Sequence, residues 1–393
     1  MRRTAMLWEA FVSRFQDAFE QYQRRRLTAE EAGELLGMSG RNFRRLVVRY
    51  EEDGIEGLRD RRIGKVSPRR APARELERMQ ALYRERYSDF TVKHFHEQLV
   101  HRHSYKLCYT VTRLSLQAAG LVAKAKRRGA HRKKRVRRPL PGMLLFQDGS
   151  THRWIAALGH DLDLVVTLDD ATGEIHSALL VDQEGTMSSF LGLAETISEH
   201  GLFAALYTDR GGHYFTTQQA GGKVDKTQLT QVGRALSQLG ITHIPSYSPQ
   251  ARGRMERVFG TLQNRLPQEL RLAKIKTIAA ANRYIKERFV PDYNARFAVP
   301  AAEPGTAFVP YAGRPLEDVL CIQEDRVVGN DNCVSYKRRS LQIPPQYHRQ
   351  HYVRATVRVH EYPDGSLAIF DGPRCLVRFN AKGRGKDVIS RAA

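Results

Sequence analysis

The strongest chemical signal in this 393-residue chain comes from three acids that lie far apart. Asp148 follows the apolar run Leu144-Leu145-Phe146-Gln147 and precedes Gly149. Asp209 closes the run from Phe203 to Thr208, with Gly211 and Gly212 soon after it. Each segment reads as an apolar strand finishing in a carboxylate. In a mixed sheet two such strands can be parallel neighbours, ~4.8 Å apart. Their carboxylates then share the crevice at the C-terminal strand ends, where open α/β sheets bind ligands. Two carboxylates that close repel each other, so they need a cation or one must take a proton. The third acid is Glu256, in SPQARGRMERVFGTLQNRL, at the edge of a helical stripe of Met255, Phe259, Leu262 and Leu266. With no thiol or imidazole partner, the set suits a hard cation such as Mg²⁺ or Mn²⁺. Two such ions ~3.5–4 Å apart can activate a water or a 3′-hydroxyl at a phosphodiester. A structural reading stays open: the aspartates could be turn-forming strand ends, and Glu256 could pair with Arg252 four residues earlier. Asp169, Asp170 and Asp182 also lie near strand ends, and Asp169 is the alternative first member.

The elements around these acids read as an α/β domain. LLFQDGS, RWIAAL, LDLVVTLDD and EIHSALLVD are short β-type runs, followed by the helical MSSFLGLAETISEHG and the strand FAALYTDRGG. Two more helices follow (TQLTQVGRALSQLG and ARGRMERVFGTLQNRLPQEL), then another over about 277–293. This order predicts a mixed sheet with helices on its faces. Residues 216–230 read as a polar loop. After a Pro-rich passage, alternating segments with turns at Asn-Asp-Asn and Pro-Asp-Gly predict a small β-barrel.

Upstream the chain is helical and basic. Leu7, Phe11, Phe15 and Phe19 recur every four residues. Thr28 with Glu31 fits a capping box, a stop falls at Gly37, and Ser39 can cap a second helix through about Tyr50. That pair forms a helix-turn-helix, and its second helix carries Arg41, Asn42, Arg44, Arg45 and Arg49 as candidate DNA contacts. Residues 74–122 read as a second helical DNA-binding segment. HFHEQLVHRHSYKLC contains His94, His96, His101, His103 and Cys108, but zinc would need a second paired ligand set. A DNA-facing histidine surface is the expected alternative. KAKRRGAHRKKRVRR holds 10 Lys/Arg in 15 residues, and Lys133, Lys134 and Arg135 are predicted to track phosphates.

Charge follows the same division. Net charge is +22, of which residues 1–138 carry +18 and residues 139–290 none. A basic front before a neutral middle suggests that the front holds a polyanion on which the middle acts. No apolar run reaches the ~18–20 residues of a membrane span. No P-loop is found, so ATP use is not expected, and there is no G-x-S-x-G elbow. The four cysteines show no paired spacing and read as reduced thiols of a cytoplasmic, nucleoid-associated protein.

QDGS, YTDRGGHYF and SPQARGRMERVFGTLQNRL, in this order, resemble the D, D and E blocks of integrase-core transposases of bacterial insertion sequences, with the ISNCY group as the nearest match. The resemblance implies a multidomain protein: N-terminal all-α helix-turn-helix domains, a central α/β RNase H-like core with a mixed sheet, and a C-terminal small β-barrel. The expected boundaries are a helix-turn-helix domain at 1–62 and, after a basic linker, a second helical DNA-binding domain at 63–123. A basic linker at 124–139, the catalytic core at 140–298, a Pro-rich linker at 299–317, and the barrel with a basic tail at 318–393 complete the chain. It also implies that Asp148, Asp209 and Glu256 hold two Mg²⁺ ions, with Mn²⁺ able to substitute. The partners it implies are transposon ends and target DNA, bound by a homo-oligomer. Arg252 and Arg254 are candidate phosphate contacts, and His213 and Gln250 are candidate positioning residues. Where such families often carry Asn, this chain has Arg210. The rival expectation is a helix-turn-helix regulator whose RNase H-like domain is a non-catalytic scaffold. A nuclease without strand transfer is a further one.

Overall fold

The computed structural model describes residues 2–60, 70–124, 135–217, 222–225, 227–247, 249–382 and 385–386, with the backbone alone for 2–6, 249–252 and 386. Met1–Glu77 and Arg78–Ala393 are two compact units.

The first unit is built on α1 (Arg2–Gln23), α2 (Ala29–Leu35) and α3 (Gly40–Asp53). α2 begins where predicted: the Thr28 side chain accepts from the Glu31 amide, and the Glu31 carboxylate accepts from the Thr28 amide at 2.7 Å. This reciprocal cap satisfies donors that every helix start leaves open. Ser39 caps α3 through the Asn42 amide. Gly37 turns the chain between the two helices at φ +68°, a left-handed conformation that a Cβ disfavours. Phe15, Phe43, Leu46 and Val47 fill the core, with the Phe15 ring 5.7 Å from Phe43 and 5.4 Å from Tyr50.

The second unit includes α5 (Val92–His103) and α6 (Tyr109–Ala118); its boundary falls inside α4 (Ala73–Arg86). Its sheet comprises β1 (Leu145–His152), β2 (Leu162–Asp169), β3 (Ile175–Val181), β4 (Ala205–Thr208) and β7 (Thr242–Pro245). Thr216–Thr217 (β5) and Val224–Asp225 (β6) form a separate short hairpin. The order is β3-β2-β1-β4-β7, with β1, β2 and β3 antiparallel, and β4 and β7 parallel to β1. This is the expected mixed sheet. RWIAAL is not a strand. Trp154 is fully buried and donates Nε1–H to the Ser150 carbonyl at 2.9 Å, and Ala156–Leu158 make one 3₁₀ turn.

α7 (Thr186–His200) and α8 (Gln231–Gln238) cover one face of the sheet, packing through Phe190, Leu193, Val232 and Leu236 against Leu145 and Leu206. α9 (Pro249–Gln263), α10 (Leu266–Leu272), α11 (Ile278–Tyr284) and α12 (Val290–Phe297) cover the other. There Met255, Val258, Phe259 and Leu262 meet Phe146, Leu164 and Val166. Each large apolar side chain so buried contributes roughly 1.5–3 kcal/mol.

The tail holds β8 (Ile322–Val327), β9 (Cys333–Tyr336), β10 (Arg339–Gln342), β11 (Thr356–Glu361), β12 (Leu367–Asp371), β13 (Arg374–Phe379) and β14 (Gly385–Lys386). The expected barrel is not closed among the described residues. An antiparallel sheet, β14-β13-β12-β11-β8, shares one apolar core with the β9–β10 hairpin, and no ladder joins the two. Val334, Tyr336 and Leu341 of the hairpin are buried in that shared core.

Two charged contacts hold the second unit's elements in place. Asp170 directly follows β2 and lies beside the start of β1, where its amide donates to the Leu144 carbonyl. Its fully buried carboxylate pairs with Arg135 and Arg254 and accepts from the Arg138 amide at 2.8 Å. On α10, Glu269 accepts from Gln98 Nε2 at 2.8 Å and pairs with the buried His94 ring at 2.8 Å. Burial pushes the Glu269 carboxyl up, but His94 and Arg102 outweigh it and hold it below its usual range. His94, on this count, is a docking residue rather than part of a DNA-facing surface. His96 and His103 face Thr112 and Tyr87.

Asp170→Ala leaves the mostly buried Arg254 guanidinium without its carboxylate, and a broken buried pair costs about 3–5 kcal/mol. The urea midpoint should fall accordingly, and an unchanged midpoint would contradict the pairing. Glu269 is depressed in the folded state, so its contribution is present above the unfolded value of about 4.3 and fades as pH falls. The difference in urea midpoint between wild type and Glu269→Gln should therefore be steady near neutral pH and shrink in acid.

Candidate active site

Parallel register decides where the aspartates stand. Leu145 pairs with Leu206 and Phe146 with Tyr207, so Asp148 and Asp209 each come two residues after the last paired rung. Asp209 lies just past β4, its Oδ1 accepting from the Gly211 amide at 2.8 Å. Asp148 is not a strand end: β1 continues to His152, and Asp148 stays opposite Val166 of β2. β4, by contrast, ends at Thr208, before the level of Asp148. The Asp148 residue is 8% exposed.

Glu256 is exposed on α9. Arg254, paired with Asp170, fixes the helix near the start of β1, and Gln263 Nε2 donates to Ser150 Oγ at 3.0 Å near the end of that strand. α9 therefore runs beside β1, and Glu256 shares a helix face with Gln263, seven residues on. As they stand, no three His, Cys, Asp or Glu among the described residues are close enough together to hold a metal ion. The structure thus brings the two aspartates to one level and puts Glu256 on the adjacent helix without closing the set.

The competing acids have structural partners. Asp169 accepts from the amides of Gly142, Ala171 and Thr172. Burial pushes its carboxyl up, but the His176 ring and those amides bring it below the usual range. Asp170 is engaged by two guanidiniums, and Asp182 is exposed. None of the three shares the β1–β4 crevice.

Among the predicted DNA contacts, Arg41 is exposed on α3. Arg44 pairs with Glu30 at 2.9 Å, Arg45 donates to Asn42 Oδ1 at 2.8 Å, and Arg49 donates to the Arg59 carbonyl at 2.5 Å. Arg135 and Arg254 share Asp170 instead of standing free for phosphate. Lys133 and Lys134, and the side chains of Gln250 and Arg252, lie outside the described residues. Arg210 donates to the Gly222 carbonyl at 2.7 Å and lies over the Tyr247 ring.

Glu184, in the loop between β3 and α7, and Tyr214 were not singled out by the sequence. Tyr214 is 1% exposed; its hydroxyl donates to Gln147 Oε1 at 3.1 Å and accepts from Ser189 Oγ at 3.2 Å. Burial first, and then the charges of Glu184, Asp148 and Asp209, push this hydroxyl well above its ordinary value. His213 packs on the Tyr214 ring with centroids 3.9 Å apart. The acids here offer oxygen donors alone, the donor type that a hard divalent cation takes, though as they stand no three among the described residues are close enough to hold one. A signal for Glu184 existed in Gly149, whose missing Cβ leaves room for a neighbour, but nothing in the sequence names that neighbour.

Residues 16–65 match the family model of a helix-turn-helix domain. The chain is 33% identical over 348 residues to the protein named "Putative transposase y4bF" of Sinorhizobium fredii, covering 88% of this chain and 75% of that one. It is 29% identical over 224 residues to a transposase for insertion sequence IS1202 of Streptococcus pneumoniae, covering 56% of this chain and 47% of that one. Among solved structures, it is similar to the HTLV-2 integrase catalytic core domain in complex with magnesium. The identity is 16%, with 38% of this chain and 88% of that one covered, at a TM-score of 0.29. At that score the likeness assigns no residue. The extent of the first match carries the conclusion: the chain belongs to the transposases.

Proposed function

We propose that this transposase binds the terminal inverted repeats of its element, cleaves at their ends with water, and joins the freed 3′-hydroxyl to target DNA by transesterification. The observation that carries the reading is the parallel register that puts Asp148 and Asp209 at one level of β1 and β4, with Glu256 on the helix alongside. In this reading the three acids hold two Mg²⁺ ions, which Mn²⁺ can replace. Bound there, such ions supply Lewis acidity to the attacking and leaving oxygens. The chain's own part is to fix the carboxylates on rigid elements, so that little reorganisation accompanies the reaction. α3 would read the repeat from the major groove, and the basic segments would follow phosphates. Paired ends call for a dimer or larger assembly, acting in the bacterial cytoplasm on nucleoid DNA. Among the described residues no helix is long and apolar enough to cross a membrane.

Strand transfer on labelled terminal repeats with Mg²⁺ tests the site. Asp148→Ala, Asp209→Ala and Glu256→Ala should each lower joining roughly 10³-fold or more while repeat binding persists. A variant that joins ends as well as wild type would remove that residue from the site. Nicked but unjoined product from wild type would indicate a nuclease. Binding without cutting would favour a regulator. Arg41→Ala should lower the slope of log affinity against log salt by about 1 if it meets a phosphate, whereas a base contact would change sequence preference instead.

A further inference from the structure

The Glu184 carboxylate lies against the β1 backbone at Gly149, the residue after Asp148. A Cβ built on Gly149 would lie 2.1 Å from Glu184 Oε2 and 2.6 Å from its Cδ, so the carboxylate rests directly on the backbone beside Asp148. Its Oε1 lies 3.5 Å from the Tyr214 hydroxyl and 3.6 Å from His213 Nε2. The other edge of the His213 ring faces Gly211: a Cβ there would be 3.3 Å from His213 Cε1 and 3.0 Å from Asp209 Oδ1. One carboxylate thus touches the backbone next to the first aspartate and the ring next to the second. Its own loop is anchored by the Glu184 amide, which donates to Asp163 Oδ2 at 2.7 Å, and Asp163 also accepts from Thr151 Oγ1 at 2.5 Å.

We infer that Glu184 is a positioning residue of the active site, holding the Gly149 backbone and the His213 ring so that Asp148 and Asp209 face one crevice. The inference rests on the proposed role of those two aspartates. Three features support it. Gly149 is needed here for close approach, since any larger residue would displace the carboxylate. Glu184 Oε1 also lies 3.5 Å from the Tyr214 hydroxyl, which Gln147 and Ser189 hold in place. A third negative charge beside two aspartates raises the local attraction for divalent cations, a gain lost when the carboxylate becomes an amide. Residues that hold metal ligands in place typically change metal affinity or activity 10–100-fold when replaced.

The test uses the full chain and Mn²⁺ alone as probe, read by electron paramagnetic resonance, beside strand transfer on terminal repeats. Glu184→Gln preserves shape and should keep the metal-free melting temperature of wild type. It should weaken Mn²⁺ binding roughly 10–100-fold and lower kcat similarly, with KM for DNA unchanged. Gly149→Ala, which pushes the carboxylate aside, should give the same two losses, and combining it with Glu184→Gln should add little. Wild-type Mn²⁺ affinity and kcat in Glu184→Gln, with both lost in Asp209→Ala, would overturn this inference and leave the site reading intact. Unchanged Mn²⁺ binding in Asp148→Ala and Asp209→Ala would overturn both.

Discussion

Parallel pairing of β1 with β4 forces two like charges to one level of the sheet. Rungs at Leu145–Leu206 and Phe146–Tyr207 leave no freedom in where Asp148 and Asp209 fall. A slip of one residue would turn Asp148 to the opposite face and unpack Phe146 from the α9 side. The apolar filling of both faces therefore fixes the register, and the register fixes the electrostatic problem. In the proposed function a cation meets that pair, so the proposed site would follow from core packing.

Around that pair the fold supplies rigidity through buried charge. Asp170 ties the stretch before β1 to α9 through Arg135 and Arg254, and α9 is the helix that carries Glu256. Glu269 ties α5 to α10 through His94 and Gln98. Residues that read as nucleic-acid contacts on composition, Arg135 and Arg254 among them, thus help hold the frame on which the acids stand. Removing Asp170 would leave the mostly buried Arg254 guanidinium without its carboxylate, a cost that favours this geometry.

Local features were legible in the sequence. The Thr28–Glu31 and Ser39 caps set helix starts within a few residues, so α2 and α3 could be placed from sequence alone. The apolar runs before Asp148 and Asp209 announced β1 and β4. β7 was not visible, because Thr-His-Ile-Pro has no alternation and pairs only through its neighbour β4. RWIAAL looked like a strand because Trp154 and Ile155 are apolar, yet they fill the core from a turn. The acids Asp148, Asp169 and Asp170 look alike along the chain. What separates them is non-local: Asp170 meets Arg254, 84 residues away. Glu184 had no pattern of its own, since its place depends on the missing side chain of Gly149.

The central claim is that Asp148, Asp209 and Glu256 form one metal-binding site on DNA. Its most direct test is anomalous scattering from a crystal of the chain with donor-end DNA and Mn²⁺. The account predicts Mn²⁺ peaks coordinated by Asp148 and Asp209, with the Glu256 carboxylate drawn in beside the terminal phosphate. Mn²⁺ peaks elsewhere on the protein, with those three carboxylates unligated, would contradict it.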